Sequence, residues 1–246
     1  RIVDPQLAGF LTILFATLPT TIQLTWFPSY DVLAALLLFL GYGLIVLELG
    51  KQRSWTMLPS GFVLGAALML RLTSAFFIGL LFLALLYLLI RRERTVTQLL
   101  LFVAGLCIVP LAMLLAGYNP LLTLITAQVR QDLFYAQDTS SFLSRVPVIL
   151  YLGIPLLTLI PINLLRTSKG AVERASFAIG MVPVTSAIPL AFVTQITPDF
   201  PRTMLAMTAC TLIWLAKSAP DWPHNRSYQP IMIFSNLAFI AITTIL

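Results

Sequence analysis

The sequence predicts an all-α fold: a polytopic transmembrane helical bundle of about nine segments with a short external amphipathic helix. Three observations carry this. Of the 246 residues, 59% are hydrophobic and only 10% charged, and the mean hydropathy is +0.95, too apolar for a fold that must present a polar exterior to water. Apolar runs of roughly 17 to 25 residues recur along the chain, the length that crosses a bilayer as helix. The charges gather in short connectors between those runs, and alternate connectors are basic.

The runs are continuous, as in LAALLLFLGYGLIVL, without the period-two alternation of a barrel strand. In lipid the backbone must satisfy its own hydrogen bonds, so these segments are helices. Candidate membrane segments fall at about 6–27, 32–50, 55–70, 73–90, 98–117, 147–165, 176–196, 203–216 and 230–246. They form a single transmembrane domain spanning 1–246. The stretch from Trp55 to Ile90 reads either as one long helix or as two shorter ones. Two crossings joined at Arg71-Leu72-Thr73-Ser74 keep Arg91-Arg92-Glu93-Arg94 on the same side as the other basic connectors, so two are expected.

With that parity Lys51/Arg53, Arg91/Arg92/Arg94, Arg166/Lys169/Arg174, Lys217/Arg226 and Arg1 share one side, eleven of the fifteen Lys and Arg. Arg71, Arg130, Arg145 and Arg202 face the other side, with Asp31, Asp132, Asp138 and Asp199. An excess of Lys and Arg marks the cytoplasmic face. The net charge of +6 is therefore read as anchoring to anionic headgroups, not as a nucleic-acid footprint. Cys107 and Cys210 lie inside apolar runs, which points away from a disulfide framework and from a metal site. His224 stands alone in a connector, and Asn225-Arg226-Ser227 matches a glycosylation sequon on the cytoplasmic side. The chain opens on Arg1 and closes within an apolar run, the expectation being a fragment of a longer protein.

The external connector 118–146 is the longest. Asn119-Pro120 reads as a helix cap followed by proline in the first helical position. Leu121, Leu122, Ile125, Val129 and Leu133 follow at helical spacing, as expected of a helix lying in the outer interface. Gly61 and Gly65 form a GxxxG in the third segment, a spacing that lets helix backbones approach closely. Pro155, Pro161, Pro183 and Pro189 would kink the sixth and seventh segments.

Chemistry is expected at the outer boundary, since the chain has no glycine-rich phosphate loop, no GxSxG and no HExxH. Asp31 heads the second segment, where a helix start favours a carboxylate, and it is the candidate general base or cation partner. Arg71 interrupts the apolar stretch GFVLGAALML-R-LTSAFFIGLL, and an ionisable residue so placed is read as functional. Its guanidinium suits a phosphate, although snorkelling to headgroups would also explain it. Arg202 begins the eighth segment in TPDFPR, with Asp199 three residues earlier. Asp199 and Arg130 are candidate supporting residues.

At these positions the chain resembles the multi-spanning, polyprenyl-phosphate-sugar-dependent glycosyltransferases of the GT-C type, which include protein mannosyltransferase-like and lipid A aminoarabinose transferase-like enzymes. The resemblance rests on Ser29-Tyr30-Asp31 opening an apolar helix, on GFVLGAALMLRLTSAFFIGLL, and on DFPRTMLAMTACTLIWLA. It implies transfer of a sugar from a polyprenyl-phosphate carrier to an acceptor on the extracytoplasmic side of a bacterial plasma membrane. Arg71 and Arg202 would stabilise the departing lipid phosphate, and Asp31 would assist or hold a divalent cation, the candidate cofactor. Two departures stand out. The family's acidic residue in the first external loop has no counterpart here and is expected upstream of Arg1. Thr203-Met204-Leu205-Ala206 replace the aromatic and proline that often follow the late arginine. The alternatives are a secondary transporter, for which proline-broken helices speak, and a non-catalytic membrane subunit or scaffold.

Overall fold

A computed structural model describes residues 30–48, 54–71, 74–122, 125–126, 175–183, 185–186, 206–207, 209–211 and 213–214. Among the described residues every regular element is a helix. Four are long: α1 (Tyr30–Leu47), α2 (Met57–Leu70), α3 (Ser74–Ile90) and α4 (Val96–Leu115). They match the second to fifth expected segments. The seventh and eighth are described in part, as helix at 175–183, 185–186, 206–207, 209–211 and 213–214. The first, sixth and ninth lie outside the described residues. By length and hydropathy α4 is long and apolar enough to cross a membrane, and α1, α2 and α3 form shorter apolar helices.

The 55–90 stretch is two helices. Arg71 follows α2 with φ −151° and ψ 118°, an extended conformation that ends the helix, while its N–H still donates to the Ala67 carbonyl at 3.0 Å. The chain re-enters helix at Ser74, whose N–H donates to the Arg71 carbonyl at 3.0 Å.

At its far end α3 closes in a Schellman turn. The Glu93 N–H donates to Leu88 O and the Arg92 N–H to Leu89 O, both at 2.9 Å. That motif places its first residue beyond the helix in the left-handed region, normally a glycine. Here it is Arg92, with φ 59°, which costs about 1–2 kcal/mol relative to glycine. Helix α4 then starts on a capping box. Thr95 Oγ1 accepts from the Gln98 N–H at 3.4 Å, and Gln98 Oε1 accepts from the Thr95 N–H at 3.1 Å. Two orphan donors are satisfied reciprocally, which lets the polar Gln98 be buried.

A second Schellman turn ends α4. Gly117, at φ 84°, supplies the left-handed residue, and the Tyr118 N–H donates to Met113 O at 2.9 Å. Asn119 Oδ1 then accepts from the Leu122 N–H at 3.1 Å, with Pro120 in the first helical position. This is the cap expected for the external helix. Its leucines Leu121 and Leu122 and Ile125 are exposed, and its course beyond Thr126 lies outside the described residues.

Glycines set how the helices cross. A Cβ added to Gly61 would strike the Phe102 carbonyl and lie 3.1 Å from Gly105 Cα, and one added to Gly105 would strike the Leu58 carbonyl. At Gly65 it would lie 2.6 Å from the Leu106 carbonyl. That carbonyl is the one whose i+4 donor is missing, because Pro110 stands inside α4 and has no N–H. Bare backbone of α2 thus rests on bare backbone of α4, and the GxxxG spacing serves packing as expected. On its other side α2 meets α1, where Ser60 Oγ donates to Gly41 O at 2.7 Å.

The interior is held by side chains whose polar atoms turn to nearby backbone. Tyr42 Oη donates to Ile179 O at 3.0 Å, and its ring meets Phe77 edge-on with centroids 5.6 Å apart. Trp214 lies against Gly180, and its Nε1 donates to Ser176 O at 2.8 Å. The perimeter is apolar: Leu33, Leu36 and Leu40 on α1, Leu83 on α3, and Leu100, Leu111 and Leu115 on α4 are exposed.

Candidate functional site

The helix directions decide which candidate residues share an end. Gly41 of α1 packs against Ser60 and Leu64 of α2. Gly61 meets Phe102 and Gly65 meets Leu106, so α2 and α4 run the same way. The end of α1 at Glu48 meets Arg94 just before α4, so α1 runs antiparallel to both. From the α1–α2 crossing Asp31 lies ten residues back along α1, about 15 Å away at 1.5 Å per residue. Arg71 lies seven residues beyond Leu64 on α2, about 10 Å away in the same direction. The starts of α1 and α3 and the ends of α2 and α4 therefore meet at one end of the bundle, here the Arg71 end. Asp31 occupies the first turn of α1 there, and the conformation of its side chain lies outside the described residues.

Arg71 is half-buried in the break between α2 and α3. Three residues on, Ser74 opens α3, is 3% exposed, and its Oγ has no hydrogen-bond partner among the described residues. A guanidinium, a helix start and a hydroxyl suit an oxyanion in kind. Arg130, Asp199 and Arg202 lie outside the described residues, so the structure joins only Asp31 and Arg71 of the five candidates, and joins them by position along the bundle.

The opposite end holds the connector with Arg91, Arg92 and Arg94, and residues that sequence reasoning missed. Glu48 follows α1, is 6% exposed, and its Oε2 has no hydrogen-bond partner among the described residues. Arg94 Nη2 donates to the Glu48 carbonyl at 3.2 Å. Burial lowers the Arg94 pKa, and the nearby Glu48 charge opposes that shift. Tyr87 and Arg91 also meet here, the guanidinium carbon 5.6 Å from the ring centroid. The signal for Glu48 was present: it is the one acid in the run LAALLLFLGYGLIVLELG.

Comparison with protein-family models, with curated proteins and with solved structures gives no match.

Proposed function

We propose that this chain is a multi-pass integral membrane protein of about nine spans. In this reading it moves a sugar from a polyprenyl-phosphate carrier to an acceptor on the extracytoplasmic side. The observation that carries the reading is the sharing of one bundle end by Asp31 and Arg71, opposite the connectors that hold Arg91, Arg92 and Arg94. A transfer of this kind needs a carboxylate to take the acceptor's proton and cations to stabilise the departing phosphate. Asp31 is assigned the first role or the holding of a divalent cation; Arg71, with Arg202, is assigned the second, and Asp199 and Arg130 support them.

The membrane setting is supported by the inside-out distribution of polarity. Tyr42, Ser60 and Trp214 bond within the bundle, while the exposed surface of α4 beyond Thr97 is apolar, with Leu100, Ile108, Leu111, Leu114 and Leu115 its largest side chains. A second reading, a non-catalytic membrane subunit, is favoured by the same bonds, which tie these polar side chains to the bundle's own backbone.

The full chain in neutral lipid nanodiscs, titrated with a long-chain polyprenyl phosphate, separates the two. Removing a charge-assisted phosphate contact should weaken binding about tenfold or more in Arg71→Gln. Asp31→Asn should keep that affinity and lose transfer from sugar-loaded carrier. Equal affinity of wild type and Arg71→Gln would remove Arg71 from the site and leave the subunit reading.

A further inference from the structure

The basic end carries a feature that neither sugar transfer nor helix packing uses. Arg91 and Arg92 are both exposed where α3 ends. The Arg91 guanidinium is parked over the Tyr87 ring, a cation–π arrangement that holds the charge at the level of an aromatic side chain. Arg92 keeps a left-handed backbone at the one position of the turn where glycine would relieve strain. Trp55, at the start of α2 and so at the same end, is 80% exposed. Indole and phenol rings are the side chains that settle at the headgroup level of a bilayer. One turn before and after Tyr87 on α3, the exposed apolar residues Leu83 and Ile90 offer surface for an acyl chain.

We propose that Tyr87, Arg91 and Arg92 form a binding site for the phosphodiester headgroup of an anionic lipid in the leaflet at the basic end, with Trp55 at the same end of the bundle as its reporter. The charges are complementary: two guanidinium groups on adjacent residues face a monoanionic phosphodiester, which planar guanidinium donors bind in paired hydrogen bonds. The ring under Arg91 sets the depth, and the Schellman turn fixes the direction in which Arg92 leaves the helix. The site retains a strained arginine because the charge is used. It lies at the end opposite Asp31 and Arg71, so it concerns a lipid that stays bound, not the carrier. It rests on the membrane reading alone and stands whether or not the chain transfers sugar.

The test uses the full chain in vesicles of phosphatidylcholine with and without phosphatidylglycerol, and reads quenching of Trp55 by brominated lipid as the difference from Trp55→Phe. Brominated phosphatidylglycerol should quench Trp55 more strongly than brominated phosphatidylcholine at equal mole fraction. Arg92→Gly relieves the turn and raises the thermal midpoint, so it cannot fail through misfolding. It should nevertheless lower the preference for the anionic lipid roughly fivefold, the effect of one basic residue at an anionic surface, and Arg91→Gln with Arg92→Gly should abolish it. An undiminished preference in Arg92→Gly overturns the assignment. So does displacement of the lipid by millimolar inorganic phosphate, which would make the site one for a soluble anion. Flotation after an alkaline wash reads insertion separately. A chain that floats but shows no lipid preference ends this proposal and leaves the membrane reading intact, and one that does not float ends both.

Discussion

Glu48 shows what a single charged residue does in an apolar bundle. Its carboxylate follows the last turn of α1 and is almost wholly buried, a position that an isolated charge tolerates badly. The Arg94 guanidinium, brought in by the connector between α3 and α4, bonds the Glu48 carbonyl. There it also faces the negative end of the α1 dipole. Burial pulls the Arg94 pKa down and Glu48 holds it up, and an arginine stays protonated throughout the physiological range. The donor in this contact is therefore charged at neutral pH. Arg94→Gln should destabilise the protein by about 1.5–3 kcal/mol, the range for a hydrogen bond from a charged donor, read as a lower thermal midpoint in detergent. Glu48→Gln in the Arg94→Gln background should recover part of the loss, because the uncompensated carboxylate is gone. Strict additivity of the two changes in a double-mutant cycle would show that they do not interact.

Among the elements, the α2–α4 crossing is the closest approach of backbone to backbone described. Gly61 and Gly105 leave no room for a methyl group on either backbone, so a side chain at either site must push the helices apart. Overpacking of this kind costs about 1–3 kcal/mol, and Gly61→Ala and Gly105→Ala should each lower the thermal midpoint accordingly. Gly79 of α3 has nothing within 4 Å of an added Cβ. There alanine only improves helix propensity, and Gly79→Ala should keep the stability or raise it by up to about 1 kcal/mol, read as an unchanged or higher midpoint. Destabilisation of all three variants alike would mean that the close approach is not what matters. Much at this scale was legible beforehand. The apolar runs gave α1 to α4 to within a few residues, Asn119-Pro120 marked a helix start, and Thr95 with Gln98 carried an unread capping box. What the sequence withheld was the partner of Gly61 and Gly65. A small-residue spacing says that a helix approaches closely, whereas which helix it meets depends on the tertiary arrangement, and Gly105 carries no local mark of it.

At the scale of the molecule, charge separates the two ends along the helix axes. Among the described residues the connector with Arg91, Arg92 and Arg94 stands at one end and the Arg71 break at the other. The site was legible only to this extent: alternation of charge could place Asp31 and Arg71 on one boundary, but side-chain convergence is a matter of packing, which periodicity does not encode. The same separation yields a test of the whole arrangement. If α4 crosses the membrane, residues 55 and 118 lie on opposite sides, since α2 begins at the end where α4 begins and Tyr118 follows the end of α4. Both residues are exposed and tolerate replacement, while Cys107 and Cys210 must first be removed. Trp55→Cys should react with a membrane-impermeant maleimide only after the membrane is opened, and Tyr118→Cys should react in intact cells, because basic connectors face the cytoplasm. The reverse pattern would move Asp31 and Arg71 to the cytoplasmic side and end the case for extracytoplasmic transfer. Reaction of both from outside would mean that α4 packs within a partly aqueous assembly. In that event its exposed leucines would be covered by protein and not by lipid.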